Sequence, residues 1–383
     1  MPPYLPLKRH PLIAAMITRF RWCFIAALLL LPAQLTFAQA TSATITGTVT
    51  DAAGEPLPTV NVFIATSMNG TVTDDQGRYR LTGVPLGALR LYVSMIGFES
   101  QAQDIFIREA RTYTFDFQLK EAVYEIGEIT VTADNKKWKR QLEKFTRLFI
   151  GETPNAGQTK IVNPEVLDFS AKGGEFRAHA SEPLIIENEA MGYRVKYFMT
   201  EFVAIPNRTK YDGEPLFEEM TSTDPVQLAT WKARRDSAFY GSFRHFMLAM
   251  LNNKVEEHGF KAYSRPAKQS LSGGAAPGQQ RYPLNTAKIL KDGENPGEKI
   301  LDFEGFVEIV YTPETEDKAY LEWTGQSHRR PSYRTSMIYL DNGPTLVDLK
   351  GDVLDPYGVT FYMYLAFERV ADEVPKEYRP WIN

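Results

Sequence analysis

Between Thr44 and Leu119 the chain alternates apolar and polar residues in short runs, and each break between runs carries Gly, Pro, Asn or Asp. Leu89, Leu91, Val93 and Met95 fall on one face, with Arg90, Tyr92 and Ser94 on the other. Tyr113, Phe115, Phe117 and Leu119 repeat the pattern against Thr112, Thr114, Asp116 and Gln118. A period of two lets a pleated strand bury one side and wet the other. Strands this short, separated by turn residues at regular intervals, predict a small β-sandwich.

The first forty residues carry the order of an export signal: Arg19 and Arg21, the apolar run Trp22 to Leu31, Pro32, then small residues ending in Ala38-Gln39-Ala40. Cleavage is expected after Ala38 or Ala40, and Met16 offers an alternative start. The run is shorter than the roughly 20 residues that cross a bilayer as a helix. Cys23 is the only cysteine and lies inside this signal. It also lacks the small residues that a lipoprotein signal places before its cysteine. The exported chain is therefore expected to have no disulfide, thiolate metal site or cysteine nucleophile, and it is long enough to bury a core without one. A net charge of −4, well mixed along the 383 residues, gives no basis for nucleic-acid binding. An aromatic content of 12% suits β-rich, carbohydrate-facing or envelope proteins.

Within the sandwich, Asp51 and Gly54 are placed to turn the chain, Pro56 sits beside a strand start, and Asp74 to Gly77 makes a second hairpin that returns Tyr79 and Leu81 to the core. The run Gly47 to Pro58, then Val60 and Val62, then Thr71 to Tyr79, then Gly97-Phe98, resembles the carboxypeptidase-regulatory-like, transthyretin-like domain of exported Bacteroidetes proteins. The resemblance implies a seven-stranded transthyretin-like β-sandwich that works as an accessory module in the cell envelope.

Tyr124 to Ala133 resembles both the edge strand that follows such domains and a TonB box, the segment by which outer-membrane transporters engage their energising partner. A linker or edge strand is the expected reading, since about 250 residues are too few for a plugged 22-stranded barrel.

Beyond Lys136 the pattern is mixed. Trp138, Leu142, Phe145, Leu148 and Phe149 have helical spacing, which predicts a helix over 135–150 that stops at Gly151. Asp224-Pro225 is a cap followed by a first-turn proline. The helix it opens runs through Leu228, Trp231 and Arg235, and Phe243, Phe246, Met247 and Met250 form an apolar stripe after Gly241. Strands are expected at 193–205, 300–311, 319–324, 336–340, 346–350 and 359–367, with a flexible loop at 270–283. The whole reads as mainly β with an α+β region: signal 1–40, sandwich 41–120, linker 121–134, and an α+β domain with an antiparallel sheet at 135–383. Asn163 to Leu167, Pro183 to Asn188, Gly192-Tyr193, Trp231 to Arg235 and Tyr240 to Phe246 also resemble the portion that follows the regulatory-like domain in exported Bacteroidetes proteins. No activity follows from that resemblance.

A metallopeptidase needs His-x-x-Glu, a distant second His and an open position on zinc. His179-Ala180-Ser181-Glu182 matches the short pattern, but His245, His258 and His328 stand in no third-ligand context. No Gly-x-Ser-x-Gly elbow exists, so Ser242 and His245 read as helix neighbours. Glu187 with Glu189, and Asp352 with Asp355, read as exposed acids at turns, since nearness in sequence does not place two carboxylates across a glycosidic bond. Asp74-Asp75 reads as a turn rather than a calcium site. Trp231, Arg234 and Arg235 form a basic and aromatic helix face, a candidate docking site for an acidic partner or headgroup. The basic cluster from Gln326 to Pro331 is expected in a hairpin loop. The expectation is a non-catalytic exported protein of the periplasm or outer membrane that binds an envelope protein or a glycan, with no cofactor and no metal. A metal-dependent hydrolase using His179 and Glu182 is the alternative.

Overall fold

A computed structural model describes residues 42–122, 136–206, 208–269, 275–294 and 298–380. The expected signal with Cys23 and Met16, and the Tyr124–Ala133 segment, lie outside the described residues.

The leading sandwich has two four-stranded sheets. One orders β4 (Arg78–Val84), β1 (Ala43–Thr50) and β7 (Thr112–Thr114), with β8 (Phe117–Gln118) also on β1. The other orders β3 (Gly70–Val72), β2 (Asn61–Ile64), β5 (Gly87–Ser94) and β6 (Gln101–Ile107). These are the seven expected strands with the last divided at Phe115-Asp116. Ile45, Val49, Val62, Leu81, Leu89, Leu91, Val93, Phe117 and Leu119 fill the space between the sheets. The turn residues act as their chemistry requires. Asp51 Oδ1 accepts from the Ala53 and Glu55 amides, and Asp74 Oδ1 from those of Gln76 and Arg78. Gly77 has φ +70°, and a Cβ there would stand 2.5 Å from the Val49 carbonyl oxygen.

The second region opens with α1 (Lys136–Phe149), whose Phe145 and Phe149 bury their rings against Phe202, Tyr197 and Tyr211. It covers an antiparallel sheet of β9 (Thr159–Ile161), β10 (Leu167–Lys172), β11 (Glu175–Ala180), β12 (Leu184–Asn188), β13 (Tyr193–Ile205) and β14 (Arg208–Glu219). The long β13 pairs with β12 through its first half, β11 through its second, and β14 along its other edge. Helices α2 (Pro225–Phe239) and α3 (Phe243–Leu251) follow. Asp224 Oδ1 accepts from the Val226 amide at 2.9 Å, and Ser242 Oγ from the His245 amide at 3.1 Å, so each helix starts at a capped residue. Gly241, at φ +86°, turns the chain between them. Phe246, Met247 and Met250 pack on a five-stranded antiparallel sheet ordered 282–283, 260–265, 306–315, 333–339 and 360–363.

Four expected elements in this half are corrected. Ala319–Thr324 is not a strand: Lys318–Trp323 is helical because Asp317 caps it, with Oδ1 2.7 Å from the Tyr320 amide. The strand expected at 359–367 ends at Met363 and becomes a helical turn, Tyr364–Phe367. The strand at 300–311 is two strands, Lys299–Leu301 and Phe306–Thr315. The stretch 270–283 is not all loop: Ala275–Pro277 pairs with Ala267–Gln269, and Tyr282–Pro283 joins the five-stranded sheet.

Thr112, Thr114, Asp116 and Gln118 are exposed as expected, but on β5 the face expected to be wet is covered. Tyr92 and Ser94 are buried beside their apolar neighbours, and β5 is enclosed on both sides. Phe63 and Tyr92 pack against Phe198 of β13, with ring centroids 4.8 and 5.9 Å from Phe198. Around this trio, the Thr66 amide donates to the Pro215 carbonyl, the Phe217 amide to the Ser67 carbonyl and the Lys376 amide to the Thr66 carbonyl. Arg90 reaches Glu214 at 3.4 Å while holding Asp104 at 2.8 Å. Period-two alternation marks which face meets the sandwich core, but a tyrosine on the other face can pack against a second domain equally well.

Candidate functional site

A cleft of about 1090 Å³ is lined by residues of both sheets, of α1 and of the C-terminal segment. One wall is the β13–β14 hairpin, with Tyr197, Ile205, Arg208, Lys210, Tyr211 and Asp212. The opposite wall is the loop and strand carrying Asp341, Asp355, Tyr357, Phe361 and Tyr362. The segment from Leu365 to Val374 closes the third side. The walls are tied across. Arg208 pairs with Asp341, which also accepts from the Thr360 hydroxyl, and the Tyr357 hydroxyl donates to Glu201 Oε2 at 2.5 Å. Lys210 Nζ lies 5.3 Å from the centre of the Tyr357 ring. Trp323 and Phe361 line the cleft with about two-fifths of their surface exposed, 41% and 37%.

The closed side is strongly acidic. Glu373 is pushed up to about 7 by burial, and then by Asp352, Asp372 and Glu214; each charge acting on it is another carboxylate. Glu368 is raised to about 8 by burial and by Asp372, against the pull of Arg334. Asp372 rises to about 6 through burial despite bonds from Thr153 and Asn155; behind the cleft lining, on β14, Glu214 rises to about 7 through burial despite Arg90. Perturbed carboxylates converging on a cavity are a signature of functional sites. Glu368 and Asp372 also border a second, polar cavity of about 60 Å³ lined by Thr153, Arg234, Asp317, Arg334 and Tyr364.

The residues singled out in the sequence lie elsewhere. His179 is exposed on β11, opposite Asp168, and Glu182 is exposed in the turn after that strand. Among the described residues, no three His, Cys, Asp or Glu side chains gather in a geometry that could hold a metal ion. Ser242 caps α3, and His245 Nδ1 accepts from the Gly241 amide at 3.1 Å. That leaves His245 Nε2 facing His258 Nδ1 at 3.1 Å. Trp231 is buried, its indole N–H donating to the Glu189 carbonyl at 2.9 Å. Arg235 donates to the Met191 carbonyl at 2.7 Å, lies over the Tyr193 ring and pairs with Glu219. Arg234 points into the small polar cavity. Glu187 and Glu189 bracket Lys160 on the sheet surface. Asp352, by contrast, is half-buried beside Lys376, and Asp355 caps a turn through the Tyr357 amide; both line the cleft. The cluster from Gln326 to Pro331 links a helix to a strand, where Arg329 holds buried Glu316 at 2.8 Å.

Glu368, Arg369, Asp372 and Glu373 were not marked in the sequence. Their only signal is the interleaving of acids with Val370, Ala371 and Val374 just before Pro375, a stretch too short for a periodic reading.

Residues 44–120 match the family model of the carboxypeptidase regulatory-like domain. The leading sandwich is a carboxypeptidase regulatory-like domain. An 87-residue stretch is 41% identical to the TonB-dependent receptor P39 of Formosa agariphila, and covers 23% of this chain and 8% of the receptor. The chain thus matches under a tenth of that relative's length. Solved structures give partial likenesses only. Catechol 1,2-dioxygenase of Acinetobacter sp. ADP1 is 15% identical over 23% of this chain and 55% of its own, with a TM-score of 0.20. A minor pilin of Streptococcus agalactiae is 16% identical over 22% and 47%, also with a TM-score of 0.20. In this chain the regulatory-like domain is seated on β13 and β14, and its Thr66 and Arg90 reach the strand that forms one cleft wall.

Proposed function

We propose that this is an exported envelope protein that binds rather than catalyses, with the regulatory-like domain bracing a cleft that takes a glycan. The observation that carries the reading is the lining of the cleft. Aromatic faces of Trp323, Tyr357, Phe361 and Tyr362 stand beside carboxylates and guanidinium groups in a space of about 1090 Å³. Sugar rings offer flat apolar faces to such aromatics, while their hydroxyls need the charged acceptors and donors around them. The export reading rests on the signal-like first forty residues and on the kinship of the sandwich to a receptor of a Bacteroidetes species. The non-catalytic reading rests on the positions of the chemical candidates: Ser242 caps a helix, His245 bonds a backbone amide, and Trp231 and Arg235 hold a turn.

A glycan array probed with the purified protein, run beside a pull-down from envelope extracts, tests this. Binding of a glycan class that is weakened at least ten-fold by Phe361→Ala supports the proposal. A blank array with a protein recovered from the extract replaces the glycan by a protein partner. Stoichiometric zinc in the purified protein, lost on His179→Ala, would instead establish the hydrolase.

A further inference from the structure

We infer that the exposed face of α1 docks the protein on an anionic lipid surface. This inference is independent of what the cleft binds. The helix carries Lys136, Lys137, Lys139, Arg140, Lys144 and Arg147 against the single acid Glu143, in a chain whose overall charge is −4. All six cationic residues are exposed. Lys136, Arg140, Lys144 and Arg147 follow one another at intervals of four, four and three residues, the spacing that stacks side chains along one helix face. At about 1.5 Å per residue this ridge is about 16 Å long.

The opposite face is committed to the protein. Phe145 and Phe149 are fully buried, and the Trp138 indole N–H donates to the Leu167 carbonyl at 3.1 Å. The helix therefore cannot turn its apolar side into a bilayer, and its contact with a surface must be electrostatic. Two members of the ridge have described neighbours. Arg147 lies 3.8 Å from Glu152 and Lys144 sits over the Phe176 ring at 4.4 Å. A cationic ridge on an otherwise acidic molecule orients it toward a negative plane, and each lysine or arginine near such a surface strengthens binding by about five-fold. Lys144 and Arg147 also line the cleft, so docking through this ridge would bring the cleft mouth close to the lipid headgroups.

The test is co-sedimentation of the full chain with vesicles of phosphatidylethanolamine and phosphatidylglycerol, beside vesicles of phosphatidylcholine alone. The inference expects binding to the anionic vesicles only, lost when the salt exceeds about 0.5 M. The double variant Lys136→Gln/Arg140→Gln should weaken partitioning about 25-fold, while Lys318→Gln, an exposed lysine on another helix, leaves it unchanged. Circular-dichroism melts keep the comparison honest for folding, since both changed residues are exposed. Equal binding to both vesicle types, an equal loss in Lys318→Gln, or no binding at all overturns the inference. So does displacement by inorganic phosphate beyond that produced by chloride at the same ionic strength, because that result assigns the ridge to free phosphate.

Discussion

Lys376 holds Asp348 at 2.9 Å with both side chains almost wholly buried, 4% and 2% exposed, and Asp352 stands 3.5 Å from the same ammonium. Burial alone would lower the lysine, but the two carboxylates outweigh it and hold it above its ordinary value. The Lys376 amide donates to Thr66 of the sandwich, so one residue joins the C-terminal segment, the loop after the strand Thr345–Val347 and the regulatory-like domain.

Lys376→Met leaves the buried Asp348 and the half-buried Asp352 without their cation. Loss of one partner from such a pair costs about 3–5 kcal/mol. Asp348→Asn added to it removes one stranded charge while keeping the Oδ1 that accepts from the Lys350 and Asp352 amides. Urea unfolding should therefore find the double variant more stable than Lys376→Met alone. A double variant that is the weaker of the two would refute the pairing.

Phe198 and Phe63 seat the sandwich. Truncating a buried phenylalanine costs about 3–5 kcal/mol, and a tilted aromatic pair adds about 0.5–1.5 kcal/mol beyond its area. A double-mutant cycle with Phe63→Ala and Phe198→Ala should return a coupling energy of that second size. Strict additivity would mean that the sandwich does not lean on β13 in solution.

Much of this fold is legible in the sequence, where local chemistry decides. Asp51, Gly54, Asp74 and Gly77 specify turns whatever surrounds them, and Asp224-Pro225 specifies a helix start. The alternation at Leu89, Leu91 and Val93 locates the sandwich core. It fails at Tyr92, because a strand pattern cannot say whether its second face meets water or another domain. It fails again at Asp317, where a capping carboxylate turns the strand-like Ala319 to Thr324 into a helix. The cleft was illegible for a related reason. Asp212, Asp352 and Glu373 lie far apart in sequence and are brought together only by the packing of two sheets against the C-terminal segment.

That convergence has a pH consequence with a definite sign. Glu214 and Glu373 are raised to about 7 and Glu368 to about 8, so the folded state binds protons that the unfolded chain has already released. Their contribution is present below the ordinary carboxylate range and is lost as pH rises toward 8. His245 acts in the opposite sense. Burial lowers it from 6.5 to about 3, so its contribution is full above pH 6.5 and lost as pH falls. Between pH 6.5 and 8 the acids act alone, and the urea midpoint should fall across that window. Glu373→Gln should flatten the slope. A midpoint that rises from pH 6.5 to 8 would contradict the acid cluster, and a His245 resonance titrating near 6.5 would contradict the burial of that ring.

The last prediction separates a clamp from a docking face. Gly192 turns β12 into β13 at φ +68°, and a Cβ there would stand 2.3 Å from the Trp231 ring. Arg235 donates to the carbonyl of Gly192 at 3.1 Å and Trp231 to that of Glu189, so α2 is pinned on this turn by both side chains. Gly192→Ala pays the left-handed strain of about 1–2 kcal/mol and must also displace the indole. Trp231→Ala removes the clash but not the strain, so the two changes together should cost less than their sum in urea unfolding. Arg235→Ala strips donors from two turn carbonyls and should destabilise the fold by more than 1 kcal/mol. If instead Arg235→Ala left stability unchanged and abolished recovery of an envelope partner, the helix face would be a recognition surface and the clamp would be wrong.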